Sequence, residues 1–226
     1  MDSFVPQMRI LPPSQQTIWA SLAFASKSGF VLYGGTAIAL RLGHRQSIDF
    51  DFFSDQQLDR AGLYKSLPIL EDATVIQDTP DSFGVLVPVN VSAALQYVKL
   101  SFFGNIAIGR IGEPEVTADG VMVVASLADM MAHKLKIIMQ RIEAKDYRDI
   151  AVMLKHGMLL DEALAGAGAL FGKTFQPSES LKALVYFEGG DMDTLSGEER
   201  AILVSAVKKV KKIPLSAIRS RFLMER

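Results

Sequence analysis

"YGGTAIALRLGHRQSIDFDFF", Tyr33 to Phe53, decides how this chain is read. Its first residue closes a short apolar run, Phe30 to Tyr33, with the composition of a buried strand. Two glycines follow, then Thr36 to Leu42 with helical spacing and Gly43 as a stop. The stretch ends in a second strand, Ser47 to Phe53, carrying Asp49 and Asp51 two residues apart. Side chains two apart on a strand share a face. The alternation therefore predicts Ser47, Asp49 and Asp51 on one face, with Ile48, Phe50 and Phe52 on the core face. Two neighbouring carboxylates repel and raise each other's pKa unless a cation lies between them. Hard oxygen ligands so placed suit Mg²⁺, which takes one or two protein carboxylates and fills its octahedron with water and phosphate oxygens. Two solvated acids at an exposed strand end have the same spacing, so the neighbours must choose. Gly34-Gly35 lets a phosphate approach the backbone, and the helix starting there offers unpaired N–H groups and a positive dipole end. Thr36 is placed to cap that helix, to bind a phosphate oxygen, or both.

The rest of the chain sets the context. At 226 residues and 49% apolar content, one domain or two modest ones can build a core without disulfides. There is no cysteine, which fits a reducing compartment and excludes thiol nucleophiles. Met1 to Pro6 lacks the basic and apolar parts of a signal peptide, and no apolar run approaches a membrane span. A cytoplasmic protein with no membrane contact is the expectation. His44, His133 and His156 have no zinc-like spacing. The net charge of −1 hides an asymmetry. Between Asp49 and Asp81 eight acidic residues face two basic ones; from Ala201 to Arg226 seven basic residues face one acidic. Such ends suit a metal site and a polyanionic partner, although Lys208-Lys209-Val210-Lys211-Lys212 also reads as a solvated helix face.

Ser14 reads as the cap of a first helix with Ile18, Leu22 and Ala25 on one face, ended by Gly29. A helix is expected near Asp55 to Leu67. Strand-like runs follow at Ala73 to Gln77, Phe83 to Val87, Leu95 to Phe103 and Val121 to Val124. From Ser126 the strand signal stops. Ser126 to Arg141, Lys145 to His156, Asp161 to Phe171, Ser178 to Phe187 and Ser196 to Lys212 all have helical periodicity. The expectation is an α+β domain over residues 1–125 and a helical domain over 126–226.

Gly34-Gly35-Thr36 followed by Asp49-Phe50-Asp51 resembles the signature of the nucleotidyltransferase superfamily shared with DNA polymerase β. The string His44 to Phe53 resembles its AbiEii/AbiGii branch, toxins of type IV toxin–antitoxin and abortive-infection systems. Lys134, Arg141, Lys145-Asp146 and Asp149 are similar to that branch's helical motif, with Lys-Asp where Arg-Asp is common. Read without the resemblance, that segment is an amphipathic helix with solvated charges.

The resemblance implies a polymerase-β-like core with a mixed sheet and a C-terminal helical bundle. It implies Asp49 and Asp51 as metal ligands, and these two with Lys134 and Asp146 as the catalytic set. Gly34, Gly35, Thr36, Arg45, Ser47 and Arg141 would contact the nucleotide. Mg²⁺ or Mn²⁺ would be the cofactor and a nucleoside triphosphate the substrate. An acceptor such as tRNA or another RNA, and a separate antitoxin protein, would be the partners. The superfamily's third carboxylate falls at Ser101, a poor ligand or base, which leaves Asp146 nominated to accept the acceptor's proton. That departure keeps two other readings open: a catalytically silent nucleotide-binding protein, and a nucleotidyltransferase acting on small molecules such as antibiotics.

Overall fold

The computed structural model describes residues 1–92 and 94–224. They form two compact units. One comprises Met1–Ala107, Glu113–Ala125 and residues 222–224; the other comprises Ile108–Gly112 and Ser126–Arg221.

The first unit is built on an eight-stranded mixed sheet. Its strands are β1 (Ser3–Phe4), β2 (Val31–Tyr33), β3 (Asp49–Phe53), β4 (Thr74–Thr79), β5 (Ser82–Val91), β6 (Ala94–Phe103), β7 (Glu115–Thr117) and β8 (Val123–Val124). They lie in the order β1-β7-β8-β2-β3-β6-β5-β4. β3 is central, antiparallel to β2 and parallel to β6. One face of this centre is an aromatic core. Phe50, Phe52 and Phe102 are fully buried. Phe52 stacks on Phe102 at 5.2 Å, and Phe30 meets Phe102 edge-on at 5.5 Å. Removing each such ring from water is worth roughly 1.5–3 kcal/mol, which fixes the register of β3. Ile48, expected on this core face, is 58% exposed instead. The strand begins one residue later, and the Ile48 carbonyl accepts from Gln15 Nε2 at 2.9 Å, so alternation does not reach it.

The N-terminal helix expected as one piece is broken. Helix α1 (Pro13–Ile18) runs through a 3₁₀ turn, Trp19–Ala23, into α2 (Phe24–Lys27). Its N-cap is Pro12 rather than Ser14, because Pro13 supplies the first-turn geometry at no hydrogen-bond cost. The predicted stripe of Ile18, Leu22 and Ala25 is nevertheless buried. Helix α3 (Gly34–Leu42) closes on Gly43 in the left-handed region. Arg41 ties its last turn to the sheet: its guanidinium donates to Glu115 at 2.8 Å and to the Ala125 carbonyl at 2.6 Å. The helix after β3, α4 (Arg60–Ser66), is shorter than expected and capped by Asp59, which accepts from the Gly62 amide.

The second unit is helical: α5 (Leu127–Ile137), α6 (Ala144–Lys155), α7 (Leu160–Phe171), α8 (Pro177–Leu184) and α9 (Gly197–Lys209). α5 starts at Ser126, whose hydroxyl accepts from the Asp129 amide. α9 starts with a capping box between Ser196 and Glu199. Asp129, buried in the first turn of α5, accepts from the backbone of Ile111 and Gly112 at 2.8 and 3.1 Å. Among the described residues no helix is long and apolar enough to cross a membrane.

Candidate active site

Asp49 and Asp51 project from the face of β3 opposite the aromatic core, and both are half-buried. The sheet register places them in rows. Asp51 pairs with Tyr33 on β2 and with Ser101 on β6, and Ser101 pairs with Gly84 on β5. Asp49 pairs with Lys99, which pairs with Leu86. The position of the expected third carboxylate is therefore directly beside Asp51, and a serine, 5% exposed, holds it.

Gly34 stands where β2 turns into α3. It adopts φ +78, and a Cβ there would lie 2.7 Å from Asp51 Oδ2. Both facts require glycine: a side chain would be strained and would press on the carboxylate. The turn thus keeps open the space over the acid. Thr36 neither caps the helix nor opens to solvent. It is buried, and its hydroxyl meets the Ser47 hydroxyl at 2.7 Å and the Asp49 carbonyl. α3 itself has no side-chain cap. Thr36 and Ser47 thus clamp the start of β3 to α3, which sets where Asp49 emerges. Arg45 lies in the intervening loop and donates to the Gln46 carbonyl at 2.9 Å.

The two carboxylates fit a divalent cation that takes two protein oxygens and leaves its other positions to phosphate and water. Among the described residues no group of three or more His, Asp or Glu side chains forms a metal cluster, so the protein alone offers no complete shell.

The helical motif is arranged differently. Lys134 Nζ lies 2.6 Å from Asp146 Oδ1 and 2.7 Å from Asp149 Oδ2. Arg141 Nε donates to Asp146 Oδ2 at 2.8 Å, and its Nη2 to Oδ1 at 3.2 Å. Lys134, Asp146 and Asp149 are buried, whereas the Arg141 side chain is 44% exposed. Burial alone would raise the Asp146 carboxyl, but Arg141 and Lys134 together hold it below its ordinary value. A carboxylate so held is a weak base. The sequence put Lys134 and Arg141 on one expected helix, Ser126 to Arg141; that helix ends at Ile137, and the closing of these residues on one another across the α5–α6 connection was not readable from spacing. Lys99 was assigned no role in the sequence, and only the register shows it beside Asp49.

Comparison with known proteins follows this geometry. The model of the AbiEii family, nucleotidyl transferase AbiEii toxin of type IV toxin–antitoxin systems, matches residues 18–207. The chain belongs to the AbiEii family. Nucleotidyl transfer is accordingly its activity class. An uncharacterized protein of Aquifex aeolicus, aq_aa25, is 31% identical over 162 residues, covering 70% of this chain and 74% of that protein. Two crystal structures share the fold. A candidate nucleotidyltransferase from Helicobacter pylori matches with TM-score 0.61 and 20% identity, over 89% of this chain and 96% of that one. JHP933, also from Helicobacter pylori, matches with TM-score 0.59 and 20% identity, over 91% and 94%. The AbiEii chain thus has the mixed sheet and helical segments expected of a polymerase-β-like nucleotidyltransferase.

Proposed function

We infer that this chain transfers a nucleoside monophosphate from a nucleoside triphosphate to an acceptor hydroxyl, with Asp49 and Asp51 holding a divalent cation. The observation that supports this best is the approach of Gly34 to Asp51, a side-chain-free turn beside a carboxylate pair. In this reading the Gly34 and Gly35 backbone receives the outer phosphates at the start of α3. Thr36 and Ser47 act behind it by fixing Asp49, and Arg45 adds positive charge at the loop. Asp49 and Asp51 would hold Mg²⁺ or Mn²⁺, which would neutralise the paired acids and offset the charge of the triphosphate. The acceptor oxygen bonds to the α-phosphorus, the bond from that phosphorus to the bridging oxygen breaks, and pyrophosphate leaves with the electron pair. With serine in the third place, the hydroxyl proton passes to solvent.

Asp146, nominated for that proton, has both oxygens engaged by cations. We assign it instead to holding Lys134 and Arg141. Arg141, whose side chain reaches solvent, is tied to the same carboxylate. The biological counterpart would be a toxin restrained by a cognate antitoxin. RNA is the acceptor class favoured by the exposed Lys208, Lys209, Lys211 and Lys212.

The test incubates purified protein with each labelled triphosphate, with and without Mg²⁺. Total RNA, cell protein and small amino sugars are the separate acceptors. Metal-dependent label on RNA is expected. Label confined to small molecules would favour an antibiotic-type enzyme. Metal-dependent binding without transfer would favour a silent binder, and binding indifferent to metal would remove Asp49 and Asp51 from the site.

A further inference from the structure

β5 and β6 pair along their whole length, from Ser82 with Phe103 to Val91 with Ala94. β3 pairs only with Lys99 to Phe103 of β6. The hairpin therefore continues past the start of β3, carrying the carboxylate face with it. One side of this extension is core: Val87, Val89 and Val98 are buried. The other side carries Lys99, Tyr97 and Leu95, in phase with Ser101. Tyr97 is 54% exposed and Leu95 55%. Lys99 is half-buried and, among the described residues, has no ion pair, although Asp49 is its register partner.

Exposed aromatic and apolar side chains on a strand beside two carboxylates and an unengaged lysine do not serve packing. Their spacing is that of a nucleotide. Neighbouring strands lie ~4.8 Å apart and alternate residues ~6.6 Å along a strand. A substrate whose outer phosphates sit at Gly34 and whose α-phosphate lies at Asp49 and Asp51 would meet Lys99 one strand over. Its base would lie roughly one two-residue step further, over Tyr97. An ammonium at Lys99 offsets charge on the α-phosphate, and the Tyr97 ring offers a flat π-face to a base.

We propose that Lys99 and Tyr97 complete the nucleoside triphosphate site, Lys99 as a contact to the α-phosphate and Tyr97 as the platform on which the nucleobase stacks. This rests on the assignment of the triphosphate to Asp49 and Asp51. Because every base has a π-face, the platform accepts all four nucleotides with modest preference. Tyr97 has no part in binding a bare chain of phosphates, and that difference is its signature.

The test measures binding of the full chain, with Mg²⁺ present, to ATP, CTP, GTP and UTP, and to inorganic tripolyphosphate. Tyr97→Ala is expected to weaken the nucleotides about tenfold and leave tripolyphosphate unchanged, while Tyr97→Phe keeps the parent affinities. Lys99→Met is expected to weaken nucleotides more than tripolyphosphate, which has no nucleoside-bearing phosphate. Circular dichroism checks folding, which substitution at two solvent-facing positions should preserve. Parent affinity of Tyr97→Ala for all four nucleotides would overturn the platform. If in the same series Asp49→Asn still loses binding, the site assignment stands and only the platform falls. If Asp49→Asn binds nucleotides like the parent, the assignment falls and takes the platform with it.

Discussion

Two clusters of charge in this AbiEii chain use the same residue types to opposite ends. On β3, Asp49 and Asp51 stand side by side on an accessible face, with no ion pair to Lys99 across the register. Between α5 and α6, two cations and two carboxylates close on one another with contacts of 2.6 to 2.8 Å, three of the four side chains buried. The first arrangement brings like charges together on an accessible face, and the second closes opposite charges on one another. Two carboxylates side by side repel one another, and a cation arriving between them relieves that repulsion. A neutral buried network costs desolvation but is satisfied by its own members. Charge in a sequence motif therefore does not say whether it meets substrate; the sum of charges at the site does.

The largest effect should come from breaking the carboxylate pair on β3. Asp51→Asn is expected to lower transfer at least a thousandfold, since a metal ligand and half of the pair's charge are lost together. Stability measured in chelator should stay level or rise, because the like-charge repulsion goes. Strong destabilisation would make Asp51 a packing residue.

The same substitution in the α5–α6 cluster has the reverse profile. Asp146 is fully buried between Lys134 and Arg141. Asp146→Asn leaves Lys134 with one partner and removes the anchor of Arg141, which should cost about 3–5 kcal/mol. Urea unfolding reads it. A depressed carboxyl pKa adds a check on sign: its stabilisation is full above the ordinary value of 3.8 and is lost as pH falls through the lower folded value. Unchanged stability together with abolished turnover would return Asp146 to direct catalysis.

How much of this was legible in advance follows the range of the interactions involved. Helix starts at Ser126 and Ser196 are local hydrogen bonds to residues three positions on, and the sequence displays them. Gly43, in the left-handed region at the end of α3, is equally local. β1 and β7 were not foreseen, because two or three residues cannot show a period. The break of the first helix at Trp19 was missed for a different reason. Trp19 turns to donate to Asp119 at 2.7 Å, a partner 100 residues away. Thr36 shows the same limit: its local signal was a cap or a phosphate contact, and its hydroxyl went to Ser47 and the Asp49 carbonyl. Ser101 was placeable from strand alternation, but its pairing with Asp51 needed the parallel register.

His133 extends the comparison to a partly buried titratable group outside either charge cluster. It meets Phe171 edge-on at 5.2 Å, and burial pushes its pKa down to about 4 from the ordinary 6.5. Above pH 6.5 the ring is neutral folded and unfolded, so it has no pH effect. Between 6.5 and about 4 the unfolded chain takes a proton that the folded chain refuses, and stability falls. The loss should approach roughly 3 kcal/mol at the lower end. His133→Leu should flatten the stability–pH profile in that window. An unaltered slope would place the titration elsewhere.

Ser101 allows a third carboxylate to be added to the pair on β3, with the smallest expected effect. In the row Tyr33, Asp51, Ser101, Gly84 the new side chain has Asp51 on one side and a glycine on the other. Ser101→Asp puts a third carboxylate next to Asp51. In chelator this should destabilise the sheet by about 2 kcal/mol, because a carboxylate at this buried position adds desolvation to the repulsion from Asp51. Added Mg²⁺ should reverse the loss and bind more tightly than to the parent, since one more hard oxygen joins the set. A carboxylate there can also take the acceptor's proton. General-base help is typically worth about 10²–10⁴-fold, and a base on a backbone that did not evolve around it should recover only about tenfold in turnover. Ser101→Ala separates the causes, because it removes the hydroxyl without adding charge and should leave metal affinity at the parent level. Equal metal affinity in Ser101→Asp and Ser101→Ala would place residue 101 outside the cation's reach. Tighter metal with unchanged turnover would mean that proton removal does not limit transfer, and that the serine was tolerated because solvent performs the step fast enough.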